Sequence, residues 1–258
     1  MNIYLCGYNK IGCDVLNYLL NDCLFVENIA VFTHKPNMLH IPDIRDIASK
    51  AGLWHTTKSV NDIEAPFKPD IIASVYYRNI IKDHIIDKAK QGCFNIHPSL
   101  LPKHRGCSSI PWAIIEGDKL TGVTFHYIDK NIDTGNIILQ ASIQIDQQET
   151  QKILYEKCMR KGAEYWPAAF HLVCNNFKGF PQEGLGNYNK RGVPYEGTIE
   201  DFFAKEENVL DWRIKLDRFL RAMNYPPYPY ATYKGIEVKT LEEFAKLEYN
   251  ICKEIKNG

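Results

Sequence analysis

Residues 94–106 have the sequence FNIHPSLLPKHRG, in which an apolar strand ends in polar residues and runs into a proline-containing loop. Asn95 and His97 lie two positions apart, so their side chains point to the same side of an extended strand. Pro98 and Pro102 restrict the backbone that follows and remove two of its amide donors. We therefore expect a rigid loop here, with a carboxamide and an imidazole projecting together from the end of a strand.

Short apolar strands alternate with helical segments around this stretch. Strands are predicted at residues 2–6, 25–33, 70–76 and 93–96, and helices at residues 11–20, 42–51 and 80–89. Such alternation is typical of βαβ units, which build a parallel sheet with helices on both faces. The first half of the chain therefore predicts an α/β fold with an open, mostly parallel, Rossmann-like sheet, and folds of this kind bind substrates at the carboxyl edge of the sheet.

The pattern changes after residue 120, where two strand-like runs are joined by a turn. The runs are GVTFHYI and NIILQASIQI, and the turn-rich sequence DKNIDTG lies between them. A long helix is predicted over residues 150–173. We therefore expect a hairpin-like pair of strands followed by a helix.

The remainder of the chain begins with residues 176–197, which are rich in Gly, Asn, Pro and Tyr, as is typical of a linker or long loop. An amphipathic helix is predicted over residues 211–223, followed by the aromatic–proline run NYPPYPYATY and a short strand at residues 236–240. The predicted organisation is a main domain over residues 1–180, a linker over 181–197 and a small C-terminal α+β module over 198–258.

The composition of the 258-residue chain argues against several classes of protein. Lys and Arg total 31, as do Asp and Glu, which is not the balance of a protein that coats a nucleic acid. The eight cysteines include no C-x-x-C pair, so we expect reduced thiols in a cytoplasmic protein. The sequence has no run of about 18 apolar residues and no signal-peptide pattern, so we predict no membrane partner. Because of the charge balance, we also predict no nucleic-acid partner.

Asp133, in the turn between the two later strands, adds an anion to the Asn–His pair. By itself an aspartate in a turn most often bonds only its own backbone. Together the three side chains suit acyl transfer to an amine. The amide of Asn95 holds a developing oxyanion, His97 donates to it or moves a proton, and Asp133 orients the imidazole. The amine is itself the nucleophile, so the chemistry needs no nucleophilic side chain.

A metal site is the competing interpretation of these residues. His97, His104 and Asp133 are potential zinc ligands, but the sequence has no H-x-x-x-H motif and no Cys/His cluster of metal-binding spacing. We therefore predict no metal.

The combination of FNIHPSLLPKHRG with GVTFHYIDKNIDTGNIILQ resembles the signature of the formyltransferases that use 10-formyltetrahydrofolate. In that family an Asn, a His two residues on and the Asp of a D-x-G turn form the catalytic triad, which corresponds here to Asn95, His97 and Asp133. The resemblance covers most of residues 1–180. It implies the formyltransferase fold and 10-formyltetrahydrofolate as co-substrate.

The resemblance also implies a folate pocket beside this triad. It is formed by the loop after the preceding strand and by the loop that leads to the aspartate, which are residues 77–81 and 129–133 of this chain. The predicted folate contacts are Tyr77, Arg78, Ile80, Ile81, Asp129 and Ile132. Arg78 stands out among them, because a guanidinium can bind the glutamate of folate or a substrate phosphate.

Three further stretches, VFTH, SVYYRNII and LDWRIKLDRFLRAMNYPPYPYATYKG, resemble sugar-nucleotide N-formyltransferases. Size and the short tail are most similar to enzymes acting on dTDP-4-amino-4,6-dideoxyglucose, which implies a role in O-antigen or surface-polysaccharide synthesis. Tyr225 or Tyr230 is expected to stack on the nucleotide base, and Lys10, Arg78 or Arg105 to meet the pyrophosphate. The full set of predicted substrate contacts is Asn9 and Lys10 in the glycine turn GYNKIG, Tyr76, Arg105, Tyr225 and Tyr230.

Other functions stay open at this stage. The acceptor amine could belong to a UDP- or GDP-linked amino sugar, glycinamide ribonucleotide or methionyl-tRNA. The chain could also hydrolyse 10-formyltetrahydrofolate, or bind folate without catalysis. The apolar tail at residues 241–255 predicts a homodimer contact, with a helix folded onto its own domain as the alternative.

Overall fold

The computed structural model describes residues 1–36, 41–206 and 210–257, with side chains described up to residue 251. Its main feature is a sheet whose first five strands run parallel. These strands are β1 (Asn2–Gly7), β2 (Asn28–Phe32), β3 (Trp54–Thr56), β4 (Ile71–Val75) and β5 (Gly92–His97). They lie in the order β3-β2-β1-β4-β5, so their carboxyl ends meet at one edge.

Both faces of this sheet are covered, which confirms the predicted α/β fold. Ile3 and Leu5 of β1 pack on one face, and Tyr4 and Cys6 pack on the other. The first face is covered in part by two helices, α1 (Asn9–Asn21) and α2 (Ile44–Lys50). The second face is covered in part by α3 (Asp83–Ile86).

The helix predicted over residues 80–89 is a single turn, α3. Asn61 explains the difference, because its side chain donates to the carbonyl of Ile80 (2.8 Å) and accepts from the amide of Lys82 (3.0 Å). In a helix that begins at residue 80, the carbonyl of Ile80 would accept an intrahelical bond, so its bond to Asn61 favours the later start of α3. Residues 77–82 therefore pass the sheet edge as a loop.

Two antiparallel strands extend the sheet beyond β5. After β6 (Arg105–Gly106) and α4 (Ser109–Glu116), β7 (Leu120–Tyr127) pairs with β5, and β8 (Ile137–Gln144) pairs with β7. The complete order of the seven strands is β3-β2-β1-β4-β5-β7-β8. α4 is absent from the predicted elements. It contains Pro111, which is tolerated because it lies in the first turn, where the amide has no intrahelical partner.

The helix α5 (Gln151–Cys174) packs on the same face of the sheet as α1 and confirms the helix predicted over residues 150–173. Thr150 caps it by accepting a hydrogen bond from the amide of Ile153 (3.5 Å). None of the helices in the described ranges, α5 included, combines the length and apolar character that a bilayer span requires.

The predicted linker is partly ordered, because β9 (Tyr188–Asn189) pairs with β6. The chain then forms a tight turn (Pro194–Gly197) in which Tyr195 and Glu196 have positive φ. The elements that follow are α6 (Ile199–Lys205), α7 (Trp212–Ala222), the paired strands β10 (Ala231–Tyr233) and β11 (Ile236–Val238), and α8 (Leu241–Asn257). α7 packs against α4, and the rings of Tyr195, Phe202 and Phe219 belong to the same hydrophobic cluster as the sheet. The C-terminal module therefore shares a core with the main domain.

The cysteines with described side chains are free thiols: Cys6, Cys13, Cys23, Cys93, Cys107, Cys158 and Cys174. Burial raises the pKa of Cys158 to about 12, so that thiol stays protonated at neutral pH. Cys252 lies outside the described side chains.

Phe219→Ala tests whether the shared core holds the C-terminal module in place. The Phe219 ring is fully buried, with centroids 5.7 Å from Phe202 and 5.2 Å from Tyr195. Because truncating a buried ring leaves a cavity, we expect the free energy of unfolding in urea to fall by about 3–5 kcal/mol. The control is Ile214→Ala on the exposed side of the same helix, with an expected change within about 0.5 kcal/mol. A loss in Phe219→Ala no larger than the control's contradicts a shared core.

Candidate active site

The loop after β5 is fixed by hydrogen bonds to the neighbouring elements. Thr124 on β7 donates to the carbonyl of Ser99 (2.6 Å) and accepts from the amide of Leu101 (3.1 Å). Ser109, at the start of α4, donates to the carbonyl of Pro98 (3.0 Å). The backbone directly after β5 is therefore held in place, as the two prolines predict.

The side chains of β5 alternate between the core and a cavity at the sheet edge. Phe94 and Ile96 belong to the hydrophobic core, where Ile96 also borders the cavity, and Asn95 and His97 line the cavity from the other face of the strand. In the antiparallel pairing with β7, the residue opposite Asn95 is His126, which lines the same cavity. Strand alternation thus separates the residues that stabilise the fold from those that form the site.

His97 is almost fully buried, with 4% of its surface exposed. Its Nε2 lies 2.8 Å from the carbonyl oxygen of His104 and therefore carries a proton, while Nδ1 lies 3.4 Å from Oδ2 of Asp133. Burial lowers the pKa of His97, and the carboxylate of Asp133 offsets part of that effect. At neutral pH the ring is a neutral base whose Nδ1 lone pair lies beside an anion.

Asp133 lies in the connection between β7 and β8 with a φ of +56°, in the left-handed region. Its Oδ2 accepts the amide of Gly106 (2.8 Å), and its Oδ1 lies 3.4 Å from Nε2 of His126. Burial raises the pKa of Asp133, but its interactions with the charged forms of His97 and His126 and the hydrogen bond from the Gly106 amide outweigh that effect and bring the pKa to about 2. The carboxylate is therefore ionised throughout the neutral pH range.

His126 completes this cluster and is not among the site residues predicted from the sequence. Its Nδ1 donates to the carbonyl of Tyr127 (2.8 Å), so in the neutral ring Nε2 is an acceptor. That Nε2 lies 3.3 Å from Nδ2 of Asn95, which directs one N–H at His126 and leaves the second N–H for the cavity. The apolar–polar alternation of GVTFHYI is the sequence signal that points to this residue.

The arrangement suits transfer of an acyl group to a nitrogen nucleophile. The remaining N–H of Asn95 can bind a developing oxyanion, and His97 can accept a proton and pass it on. Asp133 stabilises the imidazolium that forms when His97 takes that proton.

These side chains line a cavity of about 1060 Å³ at the carboxyl edge of the sheet. Ile80 and Ile132 are 72% and 42% exposed at this cavity, which suits a ligand with apolar surface. All six predicted folate contacts line the cavity: Tyr77, Arg78, Ile80, Ile81, Asp129 and Ile132. The structure thus brings the two predicted folate loops together beside the triad.

The predicted substrate contacts are divided between the cavity and other places. Tyr76 and Tyr225 line the cavity. The other four are not among its described lining residues. Their contacts are Asn9 to Tyr155 (2.8 Å), Lys10 to Asp14 (2.8 Å), Arg105 to Gln182 (2.6 Å), and Tyr230 to Lys239, whose ammonium lies 4.4 Å from the ring centroid.

Besides His126, the cavity residues Tyr155 and Arg191 stand out among those that were not singled out from the sequence. Tyr155 of α5 lies between Tyr76 and Tyr225, with ring centroids 5.7 and 5.1 Å away, and we call these three rings the tyrosine pocket. Arg191, in the segment predicted as a linker, lines the same cavity and forms no ion pair with the described part of the chain. Its segment reaches the cavity through the pairing of β9 with β6, which the loop-like composition does not reveal.

His104, considered above as a metal ligand, turns away from the triad. Its Nε2 lies 2.9 Å from Asp118 and 3.8 Å from Glu116, and these three residues converge as potential ligands within the described chain. Lys103 pairs with both carboxylates and supplies positive charge there. The ion pairs of Lys103 with Glu116 and Asp118 therefore explain why these carboxylates and His104 lie together.

Known proteins resemble this chain in sequence and in fold. Residues 7–170 match the family model described as Formyl transferase. The chain is 32% identical over 237 residues to a protein of Brucella melitensis named GDP-perosamine N-formyltransferase, which covers 90% of this chain and 88% of that protein.

Two solved structures show the same fold. One is an N-formyltransferase from Helicobacter canadensis in complex with folinic acid and dTDP-3-aminofucose, with a TM-score of 0.74 and 23% identity over 92% of this chain and 85% of that one. The other is a 4-N formyltransferase from Francisella tularensis, with a TM-score of 0.69 and 21% identity over 92% and 95%.

The titration of Asp133 tests the electrostatics of the cluster. We expect its carboxyl ¹³C resonance, assigned by its absence in Asp133→Asn, to titrate with a pKa of about 2. Because this lies below the ordinary value of 3.8, the carboxylate stabilises the fold above about pH 4, and that contribution is lost as the pH falls from about 4 to 2. A measured pKa at or above 3.8 contradicts the paired, ionised carboxylate.

Proposed function

The chain belongs to the formyl transferase family, and from that membership we propose that it transfers the formyl group of 10-formyltetrahydrofolate to the amino group of a nucleotide-linked sugar. The observation that carries the proposal is the convergence of Asn95, His97 and Asp133 on a cavity that also contains both predicted folate loops and the tyrosine pocket. The similarity over 90% of the chain to a protein named as a sugar-nucleotide N-formyltransferase supports the sugar acceptor.

Asn95 and His97 act on the formyl group in this proposal. The sugar amine attacks the formyl carbon, and the N–H of Asn95 that is not bound to His126 stabilises the resulting oxyanion. His97 takes the proton that the amine loses, and Asp133 stabilises the imidazolium. The same proton is then delivered to the nitrogen of the departing folate as its bond to the formyl carbon breaks.

The two sides of the cavity suit the two substrates. Residues 77–81 and 129–132 form the side that we assign to the folate, with Ile80 and Ile132 against its rings and Arg78 for its glutamate. The tyrosine pocket and Arg191 form the side that we assign to the sugar nucleotide. The triad lies at the sheet edge where the formyl carbon and the amine meet.

Tyr225 and Arg191 are our candidates for contacts to the nucleotide. A tyrosine ring can stack on the base, and the guanidinium of Arg191 can bind the pyrophosphate. Lys10 and Arg105 are each paired with another side chain and are not among the described lining residues of the cavity, so they stay untested predictions and Arg191 is our first candidate for this contact.

dTDP-4-amino-4,6-dideoxyglucose is the acceptor that the sequence predicts. A GDP-linked amino sugar is the second candidate, favoured by the name of the Brucella melitensis relative. A role in surface-polysaccharide synthesis, a cytoplasmic location and a homodimer through residues 241–255 stay predictions, and the side chains of residues 252–255 lie outside the described part of α8.

His97→Ala and Asn95→Ala test the proposed reaction. We expect the kcat of formyl transfer from 10-formyltetrahydrofolate to a dTDP- or GDP-linked amino sugar to fall by about 10²- to 10⁴-fold, measured by mass spectrometry of the formylated sugar nucleotide. The control is His55→Ala on the remote strand β3, with turnover near that of the wild type. Near wild-type turnover in His97→Ala, or formate release that needs no amine, contradicts the proposal.

Arg191→Ala tests the nucleotide side of the cavity. In a thermal-shift screen of dTDP, UDP and GDP, we expect dTDP to raise the melting temperature of the wild type most, since a ligand that binds only the native state stabilises it. In Arg191→Ala, the loss of a charge-assisted contact should raise the KM for the sugar nucleotide by about 10-fold or more and leave kcat nearly unchanged.

The matched control for Arg191→Ala is Lys190→Ala. Lys190 is also exposed but does not line the cavity, so this variant should keep the wild-type KM. An equal rise in KM for both variants contradicts a specific role for Arg191. A larger thermal shift with GDP than with dTDP favours the GDP-linked acceptor.

A further inference from the structure

Gln182, in the segment predicted as a linker, binds the turn that carries Asp133. Its Nε2 donates to the carbonyl oxygens of Asp133 (2.8 Å) and Gly135 (2.9 Å). Its Oε1 accepts from Nε (3.1 Å) and Nη2 (2.6 Å) of Arg105. A carboxamide has two N–H donors and one carbonyl oxygen with two lone pairs, so these four bonds use its full capacity.

A second connection joins the turn of Asp133 to the strand β6, which contains Arg105. The amide of Gly106, next to Arg105, donates to Oδ2 of Asp133 at 2.8 Å. The carboxylate of Asp133 is thus tied to β6 directly, and its backbone carbonyl is tied to β6 through Gln182. Asp133 cannot move away from His97 without breaking one of these connections.

The turn needs this support because its backbone is unusual. Asp133 has a φ of +56°, a conformation that an aspartate adopts at some cost in free energy. On the other side, the turn packs closely against β7, where a Cβ at Gly135 would collide with the carbonyl oxygen of Tyr127. The turn is therefore held between β7 and the side chain of Gln182.

We propose that Gln182 is a positioning residue for formyl transfer, which holds the main chain of Asp133 so that the carboxylate stays between His97 and His126. This inference rests on the proposed function. It assigns a role in that function to a segment whose composition predicts only a linker.

Two substitutions of Gln182 test the proposal kinetically. Gln182→Ala removes all four hydrogen bonds, whereas Gln182→Glu keeps acceptors for Arg105 but loses the donors to both carbonyls. Because small displacements of catalytic groups have large effects on rate, we expect kcat to fall by about 10- to 100-fold in both variants. The KM values for the folate and the sugar nucleotide should change by less than about twofold. Gln182→Glu keeps the pairing with Arg105, so it serves as the folded variant if the alanine protein is unstable.

Asn136→Ala is the matched control. Asn136 donates to the carbonyl of Lys178 (2.9 Å), and so joins the same β7–β8 connection to the same segment after α5, but it does not contact Asp133. A merely structural role for these side-chain bridges would give similar kinetics in all three variants. We expect Asn136→Ala to keep kcat within about twofold of the wild type.

The titration of His97 in ligand-free protein supplies a readout that needs no substrate. The titratable groups that face this ring are Asp133, His126 and His104, and the carboxylate is the one whose charge raises the pKa of His97. If the carboxylate drifts away, that pKa falls. By NMR of the imidazole carbons, we expect a lower His97 pKa in Gln182→Ala and the wild-type value in Asn136→Ala; Gln182→Glu is left out of this comparison because its new carboxylate itself raises the pKa of a nearby imidazole.

An unchanged His97 pKa in Gln182→Ala, or a wild-type kcat in both Gln182 variants, overturns the positioning role. The two proposals fail separately. A shifted His97 pKa in a protein whose wild type formylates no amino sugar refutes the proposed function and leaves the positioning of Asp133 by Gln182 in place.

Discussion

An aspartate buried between two histidines is the constraint on which the rest of the site depends. Removing the carboxylate of Asp133 from water favours its neutral form. The charged forms of His97 and His126 and the hydrogen bond from the amide of Gly106 oppose this effect and keep the carboxylate ionised. Without them the group would take up a proton and no longer stabilise a charged His97. The loop after β5, the β7–β8 hairpin and the bonds of Gln182 hold these partners together.

The alternation of side chains along β5 joins the stability of the fold to the geometry of the site. Phe94 and Ile96 are packed into the hydrophobic core, so Asn95 and His97 are presented on the opposite face with little freedom to shift. A one-residue slip in the pairing of β5 with β7 would exchange the two sets. The register therefore determines both which residues enter the hydrophobic core and which line the cavity, and the same pairing places His126 opposite Asn95.

Local patterns in the sequence were enough to predict most strands of the sheet, the helices α1, α2 and α5, and the projection of Asn95 and His97 to the same side of β5, because strand periodicity and proline stiffness act over a few residues. The short strand β3 and the helix α4 were not predicted. Features that depend on distant partners were not predictable in this way. The third predicted helix begins later than expected because Asn61, 19 residues before Ile80 in the sequence, binds the backbone of the preceding loop. Arg105 binds Gln182, and the choice of partner by a charged side chain is a tertiary property. The loop-like composition of residues 181–197 likewise hides the contacts that this segment makes with the site.

A double-mutant cycle on the formyl-transfer rate tests most directly whether His97 and Asp133 act as one unit. The kcat is compared for the wild type, His97→Ala, Asp133→Asn and the double variant, with both substrates saturating. Because Asp133 acts through the imidazole, we predict that the double variant is no slower than His97→Ala alone. If instead the two losses multiply, the residues contribute independently, and the claim that the buried carboxylate works through His97 is contradicted.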